Sequence, residues 1–461
     1  MAATIVLTQP IAEEIDAAAR LPVETAGVLL ATMVVIGDSE IRLLARRMCW
    51  IPESGYARRG EDHLAITSDG YVPFLADAET LGSVAIWVHT HPGLDSPPKP
   101  SSHDAEVDHQ IADLFRLRAG TPYYGTLIFS PRPTGFAYSG YIQHASGPQE
   151  PINRCWQVGD RLRLTNSFLS STQVVSEHFD RNVRAFGGAV QQTLSDLRVG
   201  IVGCGGIGSA VAEQLVRLGV RNFLLIDPDT ISASNLTRVY GSTPAELERP
   251  KVESTATHLK QIAPDARCEA LQGMITTESV AERLCSRDVV FGCTDDNAGR
   301  LVISRFSTYL LTPVIDSGVL ITSTAEGEVR GIDGRVTTLI PGQACLVCRG
   351  RIDLARAGAE LLTPDERNRR EDEGYAPALG RTEPAVVTYT TMVAAIAVSE
   401  LLERLIGYGP EPRPSEVLLR CHDRELSSNV EMPLSRHYCD IASGKLGSGI
   451  TSPFLEQTWP A

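Results

Sequence analysis

Residues 197–209, LRVGIVGCGGIGS, decide the fold of the second half of the chain. An apolar run typical of a buried strand leads into Gly203, Gly205, Gly206 and Gly208, and a helical pattern follows. Glycines at such a turn let backbone N–H groups approach a phosphate at the helix N-terminus, where the helix dipole favours anions. The stretch therefore predicts a phosphate-binding loop between a strand and a helix.

Outward from this loop, the chain continues in a parallel α/β pattern. Strand-like NFLLID, helix-like KVESTATHLKQIA and strand-like DVVFGC and TPVIDSGV follow in turn. We predict a Rossmann-like α/β domain with a mostly parallel sheet over residues 176–445. Asp227 ends the second strand, where an acid binds ribose hydroxyls. The glycines and Asp227 fit a dinucleotide-dependent dehydrogenase equally well.

Polar residues farther along the chain favour a nucleoside triphosphate. The second strand is followed by Asp229, Asn235, Arg238 and Lys251, and Asp295 ends a later strand. Cationic and amide groups can hold a triphosphate during transfer. A carboxylate such as Asp295 can hold Mg²⁺ together with phosphate oxygens. Taken singly, these residues would serve equally as helix caps or local ion pairs.

Residues 179–320 resemble the adenylation domain of ubiquitin-activating enzymes and their bacterial relatives of the ThiF/MoeB type. The resemblance includes FDRNVRAFG, where Arg181 matches an arginine that reaches the ATP of a dimer partner. It implies a homodimer that uses ATP and Mg²⁺ to adenylate the C-terminal glycine of a carrier protein. The implied roles are ribose binding by Asp227, phosphate binding by Asn235, Arg238 and Lys251, and Mg²⁺ binding by Asp295.

A Cys-x-x-Cys pair, Cys345 and Cys348, follows the predicted α/β core. Two cysteines at this spacing are half of a tetrahedral zinc site, although two buried thiols without metal are the alternative. The resembling family completes the site near the C-terminus, where this chain offers Cys439. Ala442 replaces the next family cysteine, so His437 or Cys421 is left to supply the fourth ligand. We expect a structural zinc.

Many family members carry a nucleophilic cysteine on a loop that crosses over the active site. The corresponding stretch, 349–420, contains no cysteine. Because a thiolate is the nucleophile that forms a thioester, we expect the enzyme to stop at the adenylate or to pass it to a partner's thiol.

The first half of the chain contains a second candidate metal site. His89 and His91 alternate along a predicted strand, so both imidazoles can face one ion. Asp104, at the start of the next predicted helix, can supply an oxygen. Two histidines and one carboxylate leave a fourth position for water, which is typical of catalytic zinc. Glu24 is the candidate acceptor of a proton from that water.

Glu24, His89-x-His91-Pro92, Ser101 and Asp104 together resemble the JAMM motif of JAB/MPN metalloproteases. The resemblance covers residues 1–145 and implies an α+β zinc metalloprotease domain. It implies Glu24 as general base and Ser101 as a donor to the oxyanion. Ser101-x-x-Asp104 is also a helix capping box, and both roles are compatible. We expect His103, His109 and Asp108 on the same helix to face solvent.

Composition limits what the whole chain can do. Its 461 residues carry 42 basic and 56 acidic side chains, a net charge of −14, which argues against nucleic acid or anionic lipid as the main partner. No apolar run suggests a membrane span or an export signal, and the ten cysteines are scattered. We therefore expect a cytoplasmic protein. The predicted boundaries are 1–145, a linker over 146–175, 176–445 and a tail over 446–461.

The two resemblances point to the same chemical group, the C-terminal glycine of a ubiquitin-like protein. We predict a bifunctional enzyme that activates this glycine in one domain and releases it in the other, with a conjugating enzyme as a further partner. The alternative is activation and trimming of a sulfur-carrier protein for thiamin, molybdopterin or cysteine biosynthesis. A binding scaffold without activity would lack metal ligands or phosphate-binding residues, whereas this sequence offers candidates for all of them.

Overall fold

The computed structural model describes residues 2–37, 40–61, 63–93, 98–167, 177–324, 326–363, 365–367, 369 and 384–460. The chain forms two compact units. The first comprises Met1–Gln173 with Gly447–Ile450, and the second comprises Val174–Leu446 with Thr451–Ala461. No helix among the described residues is both long enough and apolar enough to cross a membrane.

The first unit is built on a mixed sheet in which strand β1 pairs in parallel with both β3 and β9. The sheet order is β1-β3-β2-β6-β7-β8-β9-β10, so the β1–β9 pairing closes the described strands β1 to β9 of this sheet into a ring. A separate two-stranded hairpin is formed by β4 and β5. The elements are β1 Ala2–Thr8, α1 Gln9–Ala19, β2 Ala26–Ile36, β3 Glu40–Trp50, β4 Tyr56–Arg59, β5 Leu64–Ile66, α2 Val72–Leu81, β6 Val84–Thr90, α3 Ser102–Ala119, β7 Tyr123–Pro131, β8 Phe136–His144, β9 Gln149–Val158 and β10 Arg163–Asn166.

Strand β6 is buried along its whole length. Ile86 and Val88 join the apolar cluster that contains residues of α1, whereas Trp87 joins the cluster that contains residues of α2 and α3. Because side chains alternate along a strand, His89 shares the face of Trp87. The apolar pattern of β6 thus directs His89 toward the side of the sheet that α3 covers.

The second unit contains the predicted Rossmann-like sheet, with the order β13-β12-β11-β14-β15-β16-β17-β18. Pairing is parallel from β13 through β15 and antiparallel from β15 to β18. The elements are α4 Asp180–Phe186, α5 Gly188–Asp196, β11 Arg198–Val202, α6 Gly206–Arg217, β12 Asn222–Ile226, α7 Lys251–Ile262, β13 Arg267–Leu271, α8 Glu278–Ala281, β14 Val289–Gly292, α9 Asn297–Tyr309, β15 Val314–Ser323, β16 Val329–Leu339, α10 Leu354–Glu360, α11 Val387–Ile406, β17 Glu416–Arg420 and β18 Glu425–Asn429.

Three expectations about organisation need correction. The predicted linker over 146–175 contains β9 and β10, because β1 needs a partner on its second edge and β9 supplies one with buried Cys155 and Trp156. The predicted tail over 446–461 includes Phe454, which is buried, with Trp459 stacked on it. The sheet expected to be mostly parallel is mixed, since hairpins extend it beyond β15.

Candidate active sites and metal centres

The phosphate-binding loop lies where β11 ends and α6 begins. Gly203 has a φ of +91°, and a Cβ there would lie 2.6 Å from the carbonyl oxygen of Cys293. A Cβ at Gly208 would lie 1.8 Å from the carbonyl oxygen of Gly203, so both positions require glycine. Apart from Gly205 itself and its two chain neighbours, no heavy atom of the described residues lies within 4 Å of the position of a Cβ at Gly205. The N-terminus of α6 is therefore open beside Gly205, as a phosphate site requires.

Asp227 follows β12 and holds the loop from the neighbouring strand. Its buried carboxylate accepts hydrogen bonds from the N–H groups of Cys204 (2.7 Å) and Asp229 (2.9 Å). Burial raises the pKa of Asp227, and the nearby Lys251 ammonium opposes the rise. Lys251 Nζ lies 2.7 Å from Asp229 Oδ2 and 3.8 Å from Asp227 Oδ1. The structure thus gathers these three residues at the carboxyl end of β12.

Asn235 lies on a short 3₁₀ segment, Ala233–Thr237, and Arg238 directly follows it. Both side chains make the local contacts that were the alternative to phosphate binding. The buried Asn235 accepts a hydrogen bond from the Ser232 N–H (3.1 Å) in a capping box, and Arg238 Nη1 donates to the Ser234 carbonyl (2.8 Å). The Tyr240 N–H donates to Ser209 Oγ (3.0 Å). Arg238 therefore lies close in sequence to a residue that contacts the first turn of α6.

Asp295 lies between β14 and α9 and is exposed. The alternative role for Asp295 was to cap the following helix, α9. Asp296 caps α9 instead, and it accepts hydrogen bonds from the Gly299 N–H and the Thr294 hydroxyl. Because β14 pairs with β11, Asp295 follows a strand that ends beside the glycine loop. Arg181 is exposed on α4, and no described contact joins it to the candidate ATP-binding residues.

Cys345, Cys348, Cys439 and His437 form a four-ligand cluster after β16. Cys345 Sγ lies 3.8 Å from Cys348 Sγ, and Cys348 Sγ lies 3.5 Å from Cys439 Sγ. His437 Nδ1 lies 3.3 to 3.5 Å from the three sulfurs. Sulfur ligands about 2.3 Å from a tetrahedral zinc are about 3.8 Å apart, so the cluster fits zinc and is too wide for a disulfide.

The fourth ligand position of this cluster is therefore taken by His437, and Cys421 lies outside the cluster. The hydrogen bond between Cys345 and Cys439 lowers the pKa of Cys345 and raises the pKa of Cys439, because it favours a thiolate at Cys345 that accepts from the Cys439 thiol. Sequence spacing alone left both candidates open, because the segment between Cys348 and His437 crosses most of the second unit. The stretch expected to lack a crossover thiol lies partly outside the described residues, at 364, 368 and 370–383.

A model of the ThiF family matches residues 179–441, which is more than half of the chain. The chain belongs to the ThiF family. This ThiF-family match lies within the second unit and spans the glycine loop, Lys251, Asp295 and all four residues of the cysteine-histidine cluster.

Relatives of the ThiF-family chain carry names of adenylyltransferases and modifier-activating enzymes. The Escherichia coli sulfur carrier protein ThiS adenylyltransferase is 36% identical over 46% of this chain and 74% of its own length. The Escherichia coli molybdopterin-synthase adenylyltransferase is 29% identical over 55% of this chain and 90% of its own length. Ubiquitin-like modifier-activating enzyme 5 of Oryza sativa is 27% identical over 47% of this chain and 50% of its own length.

The first unit of the ThiF-family chain brings His89, His91 and Asp104 together. The two Nε2 atoms are 3.2 Å apart, His89 Nε2 lies 3.2 Å from Asp104 Oδ1, and His91 Nε2 lies 3.5 Å from Asp104 Oδ2. Nitrogen and oxygen ligands of a tetrahedral zinc lie about 3.4 Å apart, so the three residues fit such an ion with one position open. Glu24 Oε1 lies 3.9 Å from His91 Nε2.

The capping box at the start of α3 holds Asp104 in this position. Ser101 Oγ accepts the Asp104 N–H (3.1 Å), and Asp104 Oδ2 accepts the Ser101 N–H (2.7 Å). Burial would raise the pKa of Asp104, but hydrogen bonds with His89 and His91 lower it well below its ordinary value. Ser101 is exposed and keeps its hydroxyl proton available for donation.

Of the other polar residues on α3, His103 and His109 are exposed as expected, but Asp108 is buried. Its carboxylate accepts hydrogen bonds from the hydroxyls of Tyr124 (2.6 Å) and Tyr141 (3.1 Å). Burial raises the pKa of Asp108, and these hydrogen bonds oppose the rise. The expectation failed because both hydroxyls come from strands β7 and β8, which local sequence does not place beside α3.

Proposed function

We propose that the second unit uses ATP to adenylate the C-terminal glycine carboxylate of a small carrier protein. The observation that carries the proposal is the open N-terminus of α6 at Gly205, flanked by Asp227 and Lys251, within a ThiF-family domain. Two of the named relatives are a sulfur-carrier adenylyltransferase and a ubiquitin-like modifier-activating enzyme, which supports a small carrier protein as the substrate class. The terminal glycine is what the sequence resemblance implies.

The chemistry assigned to each residue follows from its position and charge. Phosphates would bind the N–H groups of the glycine loop, Asp227 the ribose hydroxyls, and Lys251 would exchange Asp229 for a phosphate oxygen. Asp295 would hold Mg²⁺, which neutralises phosphate charge. The carrier carboxylate attacks the α-phosphorus, the bond to the β-phosphate oxygen breaks, and pyrophosphate leaves. Arg238 would stabilise the negative charge that develops on the phosphates.

Two further parts of the proposal concern partners. Arg181 would reach the ATP of a second copy of the chain, which makes the active enzyme a homodimer. Sulfur-carrier activation is supported by the adenylyltransferase relatives, whereas protein modification would require a conjugating enzyme to receive the activated glycine.

The cysteine-histidine cluster would hold a structural zinc that ties the 437–439 segment to Cys345 and Cys348.

Exchange of radioactive pyrophosphate into ATP tests the adenylation. We expect exchange with the sulfur carrier ThiS or another glycine-terminated carrier, and none when the terminal glycine is deleted. Asp295→Ala should lower the exchange rate about 100-fold or more, because a group that neutralises transition-state charge is lost. Glu278→Ala, an exposed acid on α8, is the control. Exchange that ignores the carrier's terminus would contradict the proposal.

A second candidate function belongs to the first unit, and the convergence of His89, His91 and Asp104 beside Glu24 favours it. We propose a JAB/MPN-type metallopeptidase that cuts the amide or isopeptide bond after a carrier's terminal glycine. Zinc, when bound, supplies a Lewis acid and an acidified water. Glu24 would take the proton of the attacking water and pass it to the leaving amine, and Ser101 would donate to the carbonyl oxygen.

A carrier extended by a short peptide after its terminal glycine tests this second function. We expect the zinc-loaded chain to release the peptide at the glycine, and a zinc chelator to stop the release. The rate of release is compared with that from a substrate in which proline follows the glycine, because the bond to be cleaved then carries no N–H. Cleavage that survives complete removal of metal would contradict the proposal.

A further inference from the structure

The β4–β5 hairpin of the first unit contacts the backbone around Glu24. Arg59, at the end of β4, donates from Nε to the Glu24 carbonyl (2.9 Å) and from Nη2 to Thr25 Oγ1 (2.6 Å). The next residue, Gly60, accepts the Glu24 N–H (2.8 Å) through its carbonyl. Both polar groups of the Glu24 main chain are therefore bonded to two consecutive residues of the hairpin.

Arg59 itself is held by two contacts, one with the residues just before β4 and one within β4. Its guanidinium pairs with Glu53 and lies over the ring of Tyr56, 4.6 Å from the ring centroid. The Tyr56 hydroxyl accepts the Ala26 N–H (3.1 Å) and donates to the Ala26 carbonyl (3.3 Å). The guanidinium side chain is only 16% exposed, so its orientation is fixed before any ligand arrives.

The segment after Glu24 is fixed from the opposite side by Thr90, at the end of strand β6. The Thr25 N–H donates to Thr90 Oγ1 (2.9 Å), and the Thr90 N–H donates to the Thr25 carbonyl (2.9 Å). Thr90 lies between His89 and His91 in sequence. The chain at residues 24–25 is thus bonded on one side to the hairpin and on the other to Thr90, the last residue of β6, which lies between the candidate metal ligands His89 and His91.

From these contacts we infer that Arg59 is a positioning residue for Glu24. By holding the main chain of Glu24, Arg59 fixes the Glu24 carboxylate beside the His89–His91–Asp104 cluster. The inference rests on the proposed peptidase function. A general base must lie within hydrogen-bond reach of the proton it takes, and small displacements reduce the rate strongly. Among the described contacts, Arg59 touches none of the three candidate ligands, so we expect its removal to displace Glu24 and to leave metal binding unchanged.

Three variants test the assignment: Arg59→Ala, Arg59→Lys and, as the matched control, Arg58→Ala. Arg58 is the preceding residue on β4 and is exposed. We expect Arg59→Ala to lower kcat on the extended carrier about 10- to 100-fold, the range found for residues that orient an active-site ligand. KM and the visible spectrum of the cobalt-substituted protein should not change. Arg59→Lys, with a single donor, should recover part of the loss, and Arg58→Ala should match the unaltered chain.

Amide hydrogen exchange gives a readout that does not need activity. We expect the Glu24 N–H to exchange at least 10-fold faster in Arg59→Ala than in the unaltered chain, while amides of β6 keep their protection. An unchanged kcat, or a loss confined to KM, would overturn the assignment, as would unchanged exchange at Glu24. If Arg59→Ala does not fold, Arg59→Lys carries the same measurements. A zinc-loaded unaltered chain without peptidase activity would instead refute the proposed function, and the exchange result would still decide whether Arg59 positions Glu24.

Discussion

The two candidate metal centres differ in how many ligands the protein supplies. In the second unit, three sulfurs and His437 Nδ1 complete a tetrahedron, so a bound zinc would have no position for a substrate. In the first unit, two imidazoles and Asp104 leave one position open, and the carboxylate of Glu24 lies near it. A complete ligand set is suited to stability, and an incomplete one beside a base is suited to chemistry. The variants below test this difference.

His89→Ala should have the largest effect, because it removes a ligand from a site that has three. We expect the zinc content to fall from two ions per chain to one and peptidase activity to disappear. Carrier-dependent pyrophosphate exchange should be retained. Metal analysis and both activity assays measure this, with His103→Ala, an exposed histidine on α3, as the control. Loss of both zinc ions would show that the centres are not independent.

Glu24→Gln should separate chemistry from metal binding at the open centre. We expect both zinc ions to remain and kcat for peptide release to fall about 100- to 10,000-fold, the usual contribution of a general base. Glu79→Gln, an exposed acid on α2, serves as the control. Loss of zinc in Glu24→Gln would instead make Glu24 a fourth ligand and contradict the open position.

Cys348→Ser should affect stability and not peptide release, because it opens the closed centre. We expect one zinc ion to be lost and the free energy of unfolding of the second unit to fall by about 4 kcal/mol or more, as expected for loss of a structural metal. Urea unfolding followed in the second unit measures the change, and Cys421→Ser, outside the cluster, is the control. An unchanged midpoint of unfolding would argue for two buried thiols without metal.

Asp108→Asn should have the smallest effect. Asp108 is a buried carboxylate on α3, the helix that also carries the candidate metal ligand Asp104, so the variant contrasts the two carboxylates. Because the pKa of Asp108 is raised in the folded chain, its protonated form favours folding at low pH, and this contribution is lost as pH rises through that pKa. We expect Asp108→Asn to change the free energy of unfolding by about 1 kcal/mol. The free energy of unfolding should also decline less steeply with rising pH in the variant than in the unaltered chain. Urea unfolding from pH 4 to 7 measures this against Asp113→Asn, which is exposed.

Local patterns predicted the groups that lie close in sequence. The glycine loop, the alternating His89 and His91, and the Cys345–Cys348 pair each depend on a few neighbouring residues, and the structure assembles them. Pairings between distant segments were not predictable in this way. The choice of His437 over Cys421, the burial of Asp108 by Tyr124 and Tyr141, and the partnership of β1 with β9 all depend on tertiary packing. Arg59 gave no sequence signal, because its role appears only once the hairpin lies against Glu24.

Graded removal of zinc measures the difference between the open and closed centres most directly. As a chelator that removes zinc but leaves Mg²⁺ in solution is added to a chain that starts with two zinc ions, we expect one ion to leave first, and peptide release to stop with it. Carrier-dependent exchange of pyrophosphate into ATP should continue until the second ion is withdrawn. If the chain holds a single zinc ion, or if both activities decline together from the first addition, the account of two separate centres is contradicted.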